Sequence, residues 1–195
     1  MNYLAHLFLS GEDEDLMVGN FIADAIKGKQ LDRFSAEIQR GVRLHRAIDS
    51  FTDSHEITKL SKARLNAGYR HYAGVIIDIY YDHFLAKNWS DYHYLPLADF
   101  TTKVYEILEN YQDILPERIA HMLQYMVPQN WLLNYAHYEG INRVLNGMSR
   151  RTKFDSGMEH AIHELKLYEE LFENEFSLFF PQLQLFVEDE IKSIK

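Results

Sequence analysis

The 195-residue sequence has no cysteine, which excludes disulfides, zinc–thiolate sites and thiol nucleophiles together. Proline (4) and glycine (9) are scarce, which argues against a many-turned β-sandwich and for helices. No apolar run approaches the roughly 20 residues that a membrane span requires. The N-terminus shows neither the basic region nor the cleavage site of a secretory signal. A cytoplasmic protein with no membrane partner is therefore expected. Disorder is equally disfavoured, because 47% of residues are hydrophobic and 25% charged.

A uniformly basic surface is also missing, since the net charge is −9. The charge is unevenly spread, however. Residues 27–70 hold ten Lys/Arg against five acids, a local +5, which leaves −14 on the remainder. The acidic remainder would repel a long polyanion, so no nucleic-acid partner is expected. A small anionic partner could still meet the basic segment.

Apolar residues recur at helical spacing along most of the chain, and period-2 alternation is nearly absent. The pattern predicts one all-α domain over residues 1–195, with helices near 12–28, 32–52, 55–66, 69–89, 97–114, 116–127, 129–147 and 156–191. Gly28 reads as a helix stop and Tyr92–Pro96 as a loop. Pro116 suits a helix start, whereas Pro128 and Pro181 are expected to end or kink theirs. The amphipathic stretch Ile162–Phe186 reads as a packed helix rather than a membrane-surface one, because its polar face is acidic (Glu169, Glu170, Glu173, Glu175).

Histidine and aspartate concentrate in the first half. His6 stands among Leu4, Leu7 and Leu9, and Asp24 lies in GNFIADAIKG. His45 and Asp49, in GVRLHRAIDSFTDSH, are four apart and share a helix face, as do Asp78 and Asp82 in AGVIIDIYYDHFLAKNW. Carboxylates on a largely apolar helix need a cation or a metal. Imidazole and carboxylate donors without thiolate suit Mn²⁺, Mg²⁺, Fe²⁺ or Zn²⁺ and metal-assisted hydrolysis of a phosphate ester. The candidate ligands are a subset of His6, Asp24, His45, Asp49, Asp78 and Asp82. Structural roles stay open for several: Asp53 as a helix cap, Asp49 paired with Arg46 or Arg43, His6 as a core histidine, and His83 pointing away. No nucleophile elbow, P-loop or dinucleotide fingerprint is present.

Four blocks, MNYLAHLFLS, GNFIADAIKG, GVRLHRAIDSFTDSH and AGVIIDIYYDHFLAKNW, span roughly residues 1–90 and resemble the acyl carrier protein phosphodiesterase family. That family is similar to the HD-type phosphohydrolases, helical metal enzymes named for an adjacent His-Asp pair. No His-Asp dipeptide occurs here, so the ligand set stays open. The resemblance implies hydrolysis of the 4′-phosphopantetheine ester of holo-acyl carrier protein, with Mn²⁺ as cofactor. In that setting Arg46 would meet the phosphate and His55 or His83 would protonate the leaving serine. Arg40, Arg43, Lys59, Lys62 and Arg64 would receive the acidic carrier. Tyr69, Tyr72, Tyr80 and Tyr81 would wall a slot for the pantetheine chain. The competing readings are a phosphohydrolase of a nucleotide or other small phosphodiester, and a helical interaction module without catalysis.

Overall fold

The computed structural model describes residues 1–194, among which there is no strand. Eleven α-helices run through them. They are α1 (Tyr3–Leu9), α2 (Glu14–Ile22), α3 (Ala36–Ser54), α4 (Glu56–Tyr69), α5 (Ala73–Lys87) and α6 (Leu97–Asn110). The second half holds α7 (Glu117–Met126), α8 (Trp131–Asn134), α9 (Tyr138–Ser149), α10 (Ile162–Leu167) and α11 (Glu169–Ser193).

Local chemistry sets several starts. The Asp13 carboxylate accepts from the Leu16 N–H at 3.0 Å and caps α2, and the Ser35 hydroxyl does the same for α3 from Ile38 at 3.3 Å. The side chain of His55 caps α4, accepting from the Ile57 N–H at 3.3 Å. Asp53, a possible cap by its position, instead pairs with Lys62 at 2.6 Å.

The central helix is α5, which is buried nearly all round by Ile76, Ile77, Ile79, Tyr80, Tyr81, Phe84 and Leu85. Against it lies the phenylalanine face of α11, formed by Phe172, Phe176, Phe179 and Phe180. The buried apolar side chains form one continuous cluster, and the chain is a single all-α domain. No helix is long and apolar enough to cross a membrane among the described residues.

Helices α2 and α3 touch backbone to backbone. A Cβ added at Gly19 would lie 2.1 Å from the Ile38 carbonyl oxygen, and one at Gly41 would lie 2.3 Å from that of Leu16. Both positions therefore exclude any side chain, and the approach brings Asn20 against His45.

Four expectations change in detail. Helix α1 has no counterpart in the periodicity reading, and its first turn is capped from α5, by Asp82. The first expected helix ends early, at Ile22, with a 3₁₀ turn to Ala25; Gly28, at φ +50°, opens a second 3₁₀ turn. The expected 129–147 and 156–191 helices each divide, at Tyr135–His137 and at Tyr168. Pro181 does not end a helix but lies inside α11. It sits on the exposed side with Ser177, whose carbonyl water can reach, while Phe179, Phe180 and Leu183 anchor the opposite face.

Candidate metal centre

The site forms where α1, α2 and α3 meet, and it is organised by one amide. Asn20 is fully buried in an otherwise apolar stretch of α2. Its Nδ2 donates to the His6 carbonyl at 2.9 Å and to the Ser10 hydroxyl at 3.0 Å. A carbonyl can only accept, so the orientation of the amide is set and Oδ1 is its acceptor end. Both imidazoles then donate to Asn20: His6 Nδ1 to Oδ1 at 2.8 Å, and His45 Nδ1 to the main-chain oxygen at 2.9 Å and to Oδ1 at 3.2 Å. The rings stack with centroids 4.0 Å apart and planes 16° from parallel.

With both Nδ1 atoms engaged, both Nε2 atoms face Asp49. His6 Nε2 is 3.1 Å from Asp49 Oδ1, and His45 Nε2 is 3.1 Å from Oδ2 and 3.3 Å from Asp24 Oδ1. His45 Nε2 is buried, yet it is aligned for a hydrogen bond with none of these oxygens. The ligand atoms of His6, His45 and Asp49 all lie within 4.8 Å of one another, so the triad can hold a metal ion.

The electrostatics separate the two rings. Burial first, and the adjacent His45 second, hold His6 down to about 4, so it is neutral at pH 7. Burial works against a charge on His45 as well, but Asp24 and Asp49 outweigh it and hold that ring up to about 9. Burial likewise opposes ionisation of Asp49, and the neighbouring His45 and His6 rings with the Met1 amine overcome it, leaving its carboxyl below the usual range. Asp24 is lowered by the adjacent His45 ring, and its side chain is 69% exposed. A neutral His6 with its proton on Nδ1 presents a lone pair to a carboxylate oxygen 3.1 Å away. Two acceptors at that distance are stabilised by a cation placed between them.

The other expected residues lie around or beyond this triad. Asp78 stands at its edge across the Met1 α-amino group, which lies 3.0 Å from Asp78 Oδ1 and 3.6 Å from Asp49 Oδ1. Burial raises the carboxyl of Asp78. The structure puts Asp82 to a different use. Its two oxygens accept from the N–H groups of Asn2 (3.1 Å), Leu4 (2.7 Å) and Ala5 (3.4 Å), so its acceptor capacity goes to the start of α1.

His83 is also turned away. It is buried, with Nδ1 donating to the Tyr135 carbonyl at 2.7 Å and the ring beside Phe84 and Tyr138. His55 lies ten residues beyond His45 on the α3 axis, about 15 Å along it. There it packs on Phe51 and Phe179, with Nε2 3.3 Å from Gln182. Neither histidine is next to the triad, so the proton-donor role expected of them has no geometric support. Arg46 is exposed on α3 three residues before Asp49, in no ion pair among the described residues.

The basic residues divide similarly. Lys59 pairs with Glu56, Lys62 with Asp53, and Arg64 with the buried Glu175. Arg40 is half-buried, with its Nε lacking a partner, whereas Arg43 is exposed. The expected slot does not form either: Tyr80 and Tyr81 are fully buried core residues, and Tyr69 is buried and bonded to Glu164.

A family profile described as "Acyl carrier protein phosphodiesterase" matches residues 1–183. The chain belongs to the acyl carrier protein phosphodiesterase family. It is 30% identical over 192 residues to the acyl carrier protein phosphodiesterase of Yersinia enterocolitica, covering 97% of this chain and 98% of the relative. The corresponding proteins of Photorhabdus laumondii and Klebsiella pneumoniae are each 31% identical, over 186 and 191 residues. These alignments cover 94% and 97% of this chain and 93% and 98% of the relatives. No solved structure matches the chain. Membership makes it one of a family of hydrolases. Asn20, which holds both imidazoles, has one signal in the sequence: a lone amide between Gly19 and Phe21, four residues before Asp24.

Proposed function

We propose that the protein hydrolyses the phosphodiester joining 4′-phosphopantetheine to the serine of holo-acyl carrier protein, with a divalent cation, Mn²⁺, held by His6, His45 and Asp49. The observation that carries the metal is the convergence of ligand atoms of His6, His45 and Asp49 within 4.8 Å of one another, with both Nδ1 atoms turned to Asn20. The substrate follows from the family. The likeness to HD-type enzymes enters here with the spaced pair His45 and Asp49 in place of an adjacent one.

A divalent cation held by His6, His45 and Asp49 would supply Lewis-acid activation of water and of the phosphoryl oxygens. Asn20 keeps both imidazoles pointed at Asp49. Asp24, exposed and ionised at neutral pH beside His45, takes the proton of the attacking water and returns it to the serine oxygen as the P–O bond breaks. Arg46 offsets the negative charge that develops on the phosphoryl oxygens.

The test is the mass of holo-carrier before and after incubation with enzyme and Mn²⁺. Loss of the prosthetic-group mass is expected with wild type, and no loss with Asp49→Asn. An unchanged carrier alongside hydrolysis of a small phosphodiester would overturn the carrier assignment. Equal turnover with and without a chelator would overturn the metal.

A further inference from the structure

A cavity of about 300 Å³ opens between the start of α1 and the corner made by α8 and α9. It begins where the metal cluster ends. The Met1 amine reaches Asp78 and Asp49, and the next two residues, Asn2 and Tyr3, form one wall of the cavity. Arg151 lines the cavity together with Tyr3.

The opposite wall is α9, and it carries a glycine that packing does not explain. Gly140 is required, because a Cβ there would lie 1.9 Å from the Asn134 carbonyl oxygen. Gly147, two turns further along the same face, meets nothing within 4 Å and does not adopt positive φ. Glycine inside a helix is less favourable than alanine. At this position it preserves only open space.

We infer that this cavity receives the arm of the substrate, an extended chain that is largely apolar, carries amides and is tethered to phosphate. The inference rests on the reaction proposed above. Trp131, Val144 and Met148 supply apolar contact. Asn2 and Asn134 spend their NH₂ groups on Tyr135 and on the Gln129 and Asn130 carbonyls, which leaves their Oδ1 atoms, and the NH₂ of Gln129, as partners for amide groups. The phosphate end lies toward the cluster.

The experiment uses Gly147→Leu, which places a side chain in the open space without meeting backbone, and Gly147→Ala as the milder variant should leucine prevent folding. Pantetheine, which lacks the phosphate, is titrated against Trp131 fluorescence, with Trp131→Phe identifying the signal. KM and kcat for holo-carrier are measured beside it. Pantetheine is expected to quench Trp131 in wild type. Gly147→Leu is expected to lose the quenching and raise KM for holo-carrier about tenfold; Gly147→Ala should raise it two- to threefold. Affinity for Mn²⁺ alone, read by calorimetry, is expected to stay at the wild-type value in both. Wild-type KM and quenching in a folded Gly147→Leu would overturn the cavity assignment and leave the proposed reaction standing. Quenching that depends on Gly147 without any mass change in holo-carrier would support the cavity and overturn the reaction.

Discussion

Replacing Gly41 by alanine should dismantle the metal centre from outside it. The added Cβ would lie 2.3 Å from the Leu16 carbonyl oxygen and 2.8 Å from the Asn20 nitrogen. Ordinary carbon–oxygen contacts lie near 3.3–3.6 Å, so α2 and α3 must separate by about 1 Å. The His45–Asn20 bond, now 2.9 Å, then stretches to about 3.9 Å, beyond hydrogen-bond range. Overpacking costs about 1–3 kcal/mol, against which alanine regains up to about 1 kcal/mol of helix propensity. A net loss near 1–2 kcal/mol corresponds to a fall in Tm of roughly 2–8 °C for a domain of this size. Activity should fall much further. Displacement of about 1 Å costs on the order of 10²-fold, and loss of the group orienting a metal ligand costs about 10–100-fold in metal affinity. Thermal melts, Mn²⁺ calorimetry and holo-carrier turnover read the three effects. Gly68→Ala, at a helical position with nothing within 4 Å, is the control and should melt at or above wild type. A Gly41→Ala protein with wild-type Tm and wild-type Mn²⁺ affinity would refute the claim that this backbone contact sets the site.

Mn²⁺ affinity should rise with pH by about tenfold per unit between pH 6 and 8, because binding must displace one proton from His45, held at about 9; His6, at about 4, contributes none. By the same linkage, stabilisation of the metal-free fold by His45 is full below the ordinary histidine value near 6.5 and is lost as pH rises towards 9, so its Tm should fall across that interval. Calorimetry in two buffers and melts from pH 6 to 9 check both signs; a flat affinity curve would contradict them. Burial holds the Asp82 carboxyl up to about 7, so the loss in Asp82→Asn is one of geometry: an NH₂ group replaces one of the two oxygens that accept from Asn2, Leu4 and Ala5. Its Tm should fall, an unsatisfied buried N–H costing roughly 1–3 kcal/mol. Asp24→Asn should keep the wild-type Tm within a few degrees and lose turnover; the reverse pattern would mean the two carboxylates have exchanged roles. Arg43→Glu should raise KM for holo-carrier and flatten its salt dependence, since exposed charges are screened over about 8 Å at physiological ionic strength. Lys62→Glu, whose lysine is already paired with Asp53, should do so much less; equal effects would argue against an orienting role for α3.

The i, i+4 spacing of His45 and Asp49 was legible because both residues lie on one helix, and a 3.6-residue period suffices to place them on one face. Asp78 and Asp82 obey the same rule, yet their fates differ. The partners of Asp82 are the backbone N–H groups of residues 2, 4 and 5, and no local pattern announces a contact that distant. Helix α1 was hidden for the complementary reason: its start is completed by a carboxylate nearly eighty residues away. His55 and His83 were attractive because each adjoins an acidic motif, but chain proximity does not give direction, and one faces the phenylalanines of α3 and α11 while the other faces Tyr135. The tyrosines chosen as slot walls are large enough to be core, and the α5 register buries Tyr80 and Tyr81 completely.

The brevity of α1 has a consequence for the order in which this molecule assembles. Seven residues are too few for a helix to persist alone in water, so the segment bearing His6 acquires its shape only after α5 presents Asp82 and α2 presents Asn20. One ligand of the triad is therefore the last to arrive, delivered by a segment whose Leu4, Ala5 and Leu7 complete the core as it docks. A cation held between His6 and Asp49 would tie that segment to α3 as well, and slower amide exchange over the first nine residues would report occupancy of the centre.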